Sequence, residues 1–367
     1  MLNDTIKVNY FTLLSFVEEI FNKVGYSKEH SQIIAECICN AELRGIPSHG
    51  IIRIPNYLQQ ILNKKINIKP NIKIIYKTPT TTTFDADSSL GIIAAKIAME
   101  HTIEKAYKNY ISQTVVINST HFGIAAYYAL LAVKNNMIGI VCTNSQPIVA
   151  PTLGKERMLG TNPLAIAIPS LSYPPFVADF STTPTNRGKI DLYEKQNKKL
   201  PLGWVIDKEG KPTDSPSALR EGGSILPLGS TYELGSHKGY CISAIIDIFS
   251  GVLGGANFGP FVPAFVNYIS NSPNNVGKGL GHFFGAIRID SFRPASEFLK
   301  TMDIWIETLK NTKPIDPNHP VLIPGEPELI NEKFYLKNGI PINISTINEI
   351  ICELKNFNIN LNHNFFK

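Results

Sequence analysis

Residues 42–57 read ELRGIPSHGIIRIPNY, and the middle of this stretch, SHGIIR over residues 48–53, carries the strongest local pattern in the chain. If residues 48–53 form one helical turn, His49 and Arg53 lie four positions apart on one face. A histidine exchanges protons near neutral pH, and an arginine binds a carboxylate through two parallel hydrogen bonds. Ser48 would orient the imidazole or cap the turn. This spacing suits the chemistry of a 2-hydroxyacid, and it leaves open a cap flanked by surface charges.

Helices are predicted on both sides of this stretch. A helical repeat of apolar residues ends at Gly25, and Ser27 fits the N-cap of a second helix that ends near Gly45. Pro55 either interrupts a helix or opens a new one. The first 75 residues are therefore predicted to be helical. The residues that recur at helical spacing in the first helix are Phe11, Leu14, Val17, Phe21 and Val24. The second helix is predicted to carry Ile33, Ile34, Cys37, Ile38 and Ala41 inward, and the segment after Pro55 leads into Tyr57, Leu58 and Ile61.

From about residue 76, short β-like runs alternate with helices, which predicts a mixed α/β region. Strands are predicted at 80–85, 114–118, 138–143, 164–168, 176–179 and 283–289. Helices are predicted at 91–107, 123–135, 238–253, 294–311 and 347–356. Residues 186–223 are polar and predict an extended surface excursion. Residues 254–281 predict a long irregular loop, and residues 324–326 a turn.

Composition excludes several classes of protein. The chain has 367 residues with 43% hydrophobic content, enough for a buried core. The net charge of +5 is spread thinly, so no nucleic-acid partner is predicted. Neither a signal peptide nor a membrane-length apolar run is recognised. The five cysteines have no metal-ligand spacing, and their odd number suits a reducing compartment. We expect a cytoplasmic protein without a metal.

Familiar nucleotide and hydrolase motifs are absent from the sequence. No Gly-x-Gly-x-x-Gly follows a strand and opens a helix; the nearest pattern, at Gly277, Gly279 and Gly281, precedes a strand and predicts a flexible loop. The sequence also lacks a Walker motif, His-Glu-x-x-His and Gly-x-Ser-x-Gly. A Rossmann nucleotide site is therefore not predicted.

Three further segments carry polar groups at predicted strand ends. In NSTHFG, residues 118–123, backbone N–H groups could receive phosphate or carboxylate oxygens, and His121 could be a second acid or base. The alternative is that Ser119 or Thr120 caps a helix and His121 is an ordinary polar residue. The segments LGTNP, residues 159–163, and DFSTT, residues 179–183, are typical of ligand contacts and equally of turns.

The order and spacing of these segments resemble the type 2 malate/L-lactate dehydrogenases. Beside ELRGIPSHGIIRIPNY, the matching runs are THFG (120–123), LGTNPL (159–164), DFST (179–182), LPLGW (200–204), HKGY (237–240), GHFF (281–284) and IPGE (323–326). The resemblance extends from about residue 8 to about residue 350. Pro47 stands where the family often has Asp or another polar residue, which concerns only the local turn.

The resemblance implies an α/β fold that is not Rossmann. A nucleotide-binding and catalytic domain, residues 76–294, would be inserted in a helical domain built from residues 1–75 and 295–367. It also implies a homodimer with active sites near the interface. We expect the N-terminal helices at that interface, because their apolar faces exceed the needs of a short segment.

The implied activity is hydride transfer between NAD, or alternatively NADP, and a small 2-hydroxyacid, with malate before lactate. His49, beside Ser48, matches the family's proton donor and acceptor. Arg53 matches the residue that binds the substrate carboxylate, and His121 the proton acceptor assigned in some members. The expected cofactor contacts are His121, Phe122, Gly123, Ser145, Thr161, Asn162, Asp179, Phe180, Ser181, Lys238, Gly239, Pro324, Gly325 and Glu326.

Two alternatives to this activity remain open at the level of sequence. The first is an NADPH-dependent reductase of a 2-keto acid or a cyclic imino acid on the same fold. The second is a non-catalytic descendant that binds a metabolite, which would have lost His49, Arg53 or His121; none of the three is lost. The sequence does not decide between NAD and NADP, or between the two histidines as the main acid or base.

Overall fold

A computed structural model describes residues 5–264 and 276–361, where a central mixed sheet packs against helices. The strands are β1 (Thr5–Val8), β2 (Lys73–Lys77), β3 (Thr81–Asp85), β4 (Ile111–Ser119), β5 (Met137–Thr143), β6 (Leu164–Ile168), β7 (Phe176–Phe180), β8 (Val205–Ile206), β9 (Pro212–Thr213), β10 (Ser224–Ile225), β11 (Leu280–Arg288) and β12 (Ile340–Asn343).

The helices are α1 (Tyr10–Val24), α2 (Lys28–Leu43), α3 (Ile54–Leu62), α4 (Gly91–Asn109), α5 (Ala125–Val133), α6 (Arg187–Lys195), α7 (Ser236–Asp247), α8 (Ala295–Lys310), α9 (Glu326–Asn338) and α10 (Ile344–Lys355). Helix α7 continues as a π-helical stretch, Ile248–Val252. Over residues 5–264 and 276–361, no helix combines the length and the apolar character needed to cross a membrane.

The central sheet has the strand order β2-β3-β4-β11-β5-β6-β7. Strands β3 and β4 are parallel, and the other neighbouring pairs are antiparallel. Strand β11 is paired along both edges: Phe284 lies opposite Thr114 of β4 and Val141 of β5, and its side chain is fully buried. The described sheet is therefore not the parallel sheet of a Rossmann fold, in agreement with the missing glycine motif.

Helices α1 and α2 begin and end close to the predicted positions. The Asn9 side chain accepts a hydrogen bond from the N–H of Phe11, and Gly25 ends α1 in the left-handed region at φ 113°. The Ser27 hydroxyl accepts the N–H of His30 and caps α2. The apolar faces of both helices are buried in one core that includes α4, α5 and the central sheet.

The prediction that the first 75 residues are all helical is wrong at β1 and β2. Strand β1 pairs with β12, with Val8 opposite Ile340, so its partner comes from the other end of the chain. No local pattern announces such a pairing. Strand β2 lies at the sheet edge with every residue exposed, so it lacks the alternation that marks a half-buried strand. Helix α9, after the predicted turn at 324–326, was also not predicted.

The prediction of an extended excursion over residues 186–223 is wrong as well. This region forms α6 and strands β8 and β9, which join β10 in a three-stranded sheet. Its few apolar residues are spaced widely among polar ones, so the average composition hides them. Together with apolar residues from outside this region they form a small second core. Its members are Ile148, Val149, Leu159, Ile190, Leu200, Val205, Ala218, Leu219 and Ile225. Part of the predicted loop over 254–281, residues 265–275, lies outside the described residues.

Candidate active site

A cavity of about 570 Å³ opens where the segment after α2 meets the ends of β4, β5 and β7, the start of β6 and the start of α6. Its volume is in the range of small-molecule sites, roughly 300–1,000 Å³. Most of the predicted site residues line it, although they come from separate parts of the chain. These are Ser48, His49, Arg53, His121, Gly123, Ser145, Thr161, Asp179, Phe180 and Ser181.

Two short 3₁₀ turns carry His49 and Arg53, so the condition of one helical turn over residues 48–53 is not met. Pro47–His49 forms the first turn and Ile51–Arg53 the second. Between them Gly50 has an extended conformation at φ −85° and ψ −146°. Both side chains nevertheless reach the same cavity wall. The Nε of Arg53 donates to the backbone oxygen of Ser48 at 2.6 Å, which joins the two turns.

The carboxyl group of Glu42 holds this double turn in place. Glu42 is only 4% exposed, and its Oε1 accepts the N–H of Ile51 at 2.8 Å. A Cβ at position 50 would lie 1.9 Å from that oxygen, so only glycine leaves room for the carboxyl. This role of Glu42 was not predicted, although an acidic residue near the end of a helix followed by a glycine was a usable signal in the sequence.

The two histidines face each other at the cavity wall. The rings of His49 and His121 are stacked with centroids 5.6 Å apart and an interplanar angle of 19°. The Ser48 hydroxyl lies 3.0 Å from His49 Nδ1, as the sequence suggested. On the other side, the Tyr57 hydroxyl lies 2.7 Å from His121 Nδ1. Tyr57 was predicted only as an apolar helix position, so its polar contact is new.

The hydrogen bonds at His121 indicate which ring nitrogen carries its proton. The backbone N–H of Gly123 points to Nδ1 at 3.4 Å, and a backbone N–H can only donate. Burial raises the pKa of Tyr57, so its phenol stays protonated and also donates to Nδ1. Both contacts make Nδ1 an acceptor. The neutral ring of His121 therefore carries its proton on Nε2.

Both imidazoles are neutral at pH 7. Burial, followed by the charge of Arg53, lowers the pKa of His49 to about 3. Burial also lowers the pKa of His121, and the charges of Arg53 and His49 add to the effect. Burial likewise lowers the pKa of Arg53 itself. The free site therefore pairs a cation, Arg53, with two uncharged imidazoles.

Polar residues from the ends of β5 and β7 form the opposite wall. The Ser145 hydroxyl accepts the N–H of Thr161 at 3.0 Å. Asn162 is fully buried and accepts the N–H of Ser145 at 3.1 Å, so it supports the wall rather than lining it. The carboxyl of Asp179 accepts the N–H of Ala126, in the first turn of α5, at 2.9 Å, and burial raises its pKa to about 6. The predicted anion site at this helix start therefore holds a carboxylate of the chain itself.

Several predicted cofactor contacts do not line the cavity. Phe122 is buried against His282, with stacked rings 4.7 Å apart. Lys238 and Gly239 lie in α7. The residues of the 324–326 turn lie beside Val177, whose N–H donates to the oxygen of Pro324 at 2.9 Å. Gly325 packs on Val177, and Glu326 pairs with Lys310. A role of these residues in binding a cofactor stays a prediction.

Comparison with known proteins agrees with the sequence resemblance. A model of the family described as malate/L-lactate dehydrogenase matches residues 8–351. Malate dehydrogenase of Pyrococcus abyssi is 40% identical over 339 residues, 92% of this chain and 91% of that protein. L-sulfolactate dehydrogenase of Methanocaldococcus jannaschii is 37% identical over 343 residues, 93% and 95% respectively. The solved structure of malate dehydrogenase from Entamoeba histolytica superposes with a TM-score of 0.89 at 35% identity, covering 98% of this chain and 99% of that one.

Replacing Glu42 by Gln tests the anchor of the double turn. Burial raises the pKa of Glu42 from 4.5 to about 7, against the opposing hydrogen bond from Ile51. Between pH 4.5 and pH 7 the carboxyl loses its proton in the unfolded chain but keeps it in the folded chain. The folded state is therefore destabilised as the pH rises through this range. Glutamine keeps the acceptor oxygen and does not titrate.

We therefore expect the melting temperature of Glu42→Gln to rise relative to that of the parent when the pH is raised from 5 to 8. Thermal unfolding of both proteins at the two pH values measures this difference. Glu19→Gln, at the surface pair with Lys23, is the matched control and should show the same small difference at both pH values. A difference between Glu42→Gln and the parent that does not change with pH would contradict the proposed titration.

Proposed function

This chain belongs to the malate/L-lactate dehydrogenase family, and we propose that it interconverts malate and its 2-keto acid with NAD as cofactor. Membership of the family makes it a 2-hydroxyacid dehydrogenase. The main observation behind this choice of site is that His49, His121 and Arg53 line one cavity. The reaction requires a proton acceptor and a ligand for the substrate carboxylate in the same place. Lactate is the second candidate substrate.

The cavity wall opposite the histidines fits a nicotinamide cofactor. Hydroxyl groups of Ser145, Thr161 and Ser181 line it, and Asp179 presents a carboxylate. At Gly160 an added Cβ would lie 2.2 Å from the Ser145 hydroxyl, so the wall needs a glycine there. When bound, the nicotinamide supplies the hydride acceptor or donor. We propose that these residues hold it and that the cofactor is NAD.

Arg53 is the proposed ligand of the substrate carboxylate. Its Nε donates to the oxygen of Ser48, and within residues 5–264 and 276–361 its two terminal nitrogens have no hydrogen bond, so they can form a bidentate bond. A carboxylate in this position fixes the neighbouring hydroxyl-bearing carbon relative to the histidines. Most of the rate enhancement would then come from orientation, because the cofactor carries the redox chemistry.

We assign different roles to the two histidines. His121 carries its proton on Nε2 and therefore donates a hydrogen bond to the substrate oxygen. His49, with fewer cations around it, accepts the hydroxyl proton during oxidation and returns it during reduction. A carboxylate bound to Arg53 offsets the charge that lowers the pKa of His49. Substrate binding would thus prepare His49 to take up a proton.

The main alternative is an NADPH-dependent reductase of a 2-keto or cyclic imino acid. It would use the same Arg53 and the same proton donor, so the cavity alone does not distinguish the two activities. The similarity to proteins named malate dehydrogenase favours the dehydrogenase. We also propose the inserted arrangement of residues 76–294 within 1–75 and 295–367, for which the pairing of β1 with β12 provides a link between the chain ends. The free cysteines suit a cytoplasmic location.

We further propose a homodimer, but on a different surface from the predicted one. The apolar faces of α1 and α2 are buried inside the chain's own core, so the argument that they are surplus is wrong. An exposed apolar stripe runs instead along α7 and its π-helical continuation. A second copy would cover it through a two-fold interface. The stripe consists of Tyr240, Ile242, Ile245, Ile248, Phe249, Val252 and Leu253.

A substrate screen tests the proposed function directly. The purified protein is assayed with malate, lactate, sulfolactate and ureidoglycolate, each with NAD and with NADP, by the absorbance of the reduced nicotinamide. We expect the highest kcat/KM for malate with NAD. Activity only in the reductive direction with NADPH and a keto or imino acid would replace the proposal by its alternative.

Removing the imidazole of position 49 tests the assignment of the acid and base. His49→Ala should lower kcat by about two to four powers of ten, the usual scale of acid–base catalysis. Cofactor binding, followed by quenching of protein fluorescence, should stay nearly unchanged because the proposed cofactor wall is on the other side. A variant with near-normal turnover would move the role to His121.

Charged substitutions on the stripe test the dimer. Ile245→Glu with Val252→Glu should give a monomeric mass by light scattering at low protein concentration, because two charges in an apolar interface are costly. Phe11→Glu is the matched control, since Phe11 is 67% exposed on α1. If the Phe11 variant dissociates and the stripe variant does not, the N-terminal helices form the interface after all.

A further inference from the structure

A second guanidinium lines the same cavity as His49 and Arg53. Arg187 is the first residue of α6, and its side chain is about a quarter exposed, at 23%. Its charge contributes to lowering the pKa of both Arg53 and His121, so it lies close enough to act on the reacting groups. Arg187 lies in the segment 186–223 that was predicted to be a polar excursion, and no role was predicted for it.

The guanidinium of Arg187 has little negative charge nearby to neutralise it. Its ionic contact among the described residues is Asp191, one turn along α6, at the long distance of 4.0 Å. Asp191 also lies 3.9 Å from Arg220, whose closer partner is Glu194 at 2.8 Å, and its charge acts on Arg53 as well. Of the described residues that line the cavity, Asp179 is the acidic one, and it bonds the N–H of Ala126 on the other wall. The charge of Arg187 is therefore only partly balanced by the chain.

Two lysines also line the cavity, but their positions suit the rim. Lys64 and Lys65 follow α3 and are both exposed to solvent. Neither contributes to the shifted pKa values of His121 or Arg53, whereas Arg187 contributes to both. A guanidinium also binds a carboxylate or a sulfonate through two parallel hydrogen bonds, which an ammonium does not. Arg187 is thus the better placed cation for a second anionic group.

The start of α6 reinforces this choice. Asn186 caps the helix by accepting the N–H of Lys189 at 3.0 Å, and both Asn186 and Gly188 line the cavity beside Arg187. The partial positive charge of a helix start adds to that of the guanidinium. A substrate with a single carboxylate would satisfy Arg53 and leave this second positive region without a counter-charge.

We propose that Arg187 binds the second anionic group of the substrate and thereby selects dianionic 2-hydroxyacids over lactate. The group would be the far carboxylate of malate or the sulfonate of sulfolactate. This assignment rests on the proposed function, and it makes Arg187 a specificity-determining residue. The contact with Asp191 is long, at 4.0 Å, so little is lost when Arg187 turns to the substrate.

The test compares dianionic and monoanionic substrates on matched variants. For Arg187→Gln, kcat/KM for malate and sulfolactate should fall by about tenfold to a hundredfold, the range for losing hydrogen bonds to a charged group. For lactate and 2-hydroxybutyrate it should change by less than about threefold. Arg187→Lys should recover part of the activity on malate, because it restores the charge without the planar fork.

Two further variants separate the possible causes. Arg220→Gln removes the other guanidinium that faces Asp191 and lies outside the cavity, so both substrates should be unaffected. Arg53→Lys should reduce activity on both malate and lactate, since both carry the first carboxylate. Circular dichroism and thermal unfolding verify that each variant is folded.

Three outcomes would overturn the assignment. An equal loss on malate and lactate in Arg187→Gln would mean that Arg187 supports the site as a whole. An unchanged preference for malate would place the second anion elsewhere, for which Lys64 and Lys65 are the next residues to replace. If the parent protein oxidises no 2-hydroxyacid at all, the proposed function fails first, which the screen reveals before any variant is made.

Discussion

The hydrogen bond from the N–H of Ile51 to the buried carboxyl of Glu42 is the contact on which the site depends. It joins α2, which is part of the main core, to the double turn that carries His49 and Arg53. A buried carboxyl is costly unless it is hydrogen-bonded, so this contact holds the turn in one position rather than several. This arrangement requires a glycine at position 50, because any side chain there would occupy the space of the Glu42 carboxyl.

Local patterns predicted the elements whose stabilisation is local. The helical repeat, Ser27 and Gly25 defined α1 and α2, and the family motifs brought His49, Arg53 and His121 to one cavity. The pairing of β1 with β12 was missed because its partners come from opposite ends of the chain.

The small core around Ile190 was missed because its residues are scattered among polar ones. The spacing of the motifs indicated which residues meet in the site. It did not predict the two 3₁₀ turns, because a short loop takes its conformation from distant contacts such as the one to Glu42. Arg187 was missed for the same reason: nothing in its neighbours along the chain relates it to Arg53.

The electrostatics of the cavity connect stability to function. Cations gather around two imidazoles whose pKa values are lowered by burial and by those cations, and the described lining includes one acidic residue, Asp179. Like charges in a partly buried space destabilise the empty protein. An anionic substrate relieves that repulsion as it binds, and at the same moment it raises the proton affinity of His49. The cluster of cations therefore lowers the stability of the protein when the site is empty, and it favours proton transfer only when an anion is bound. The same cluster thus provides both selectivity for the substrate and activation of His49 as the base.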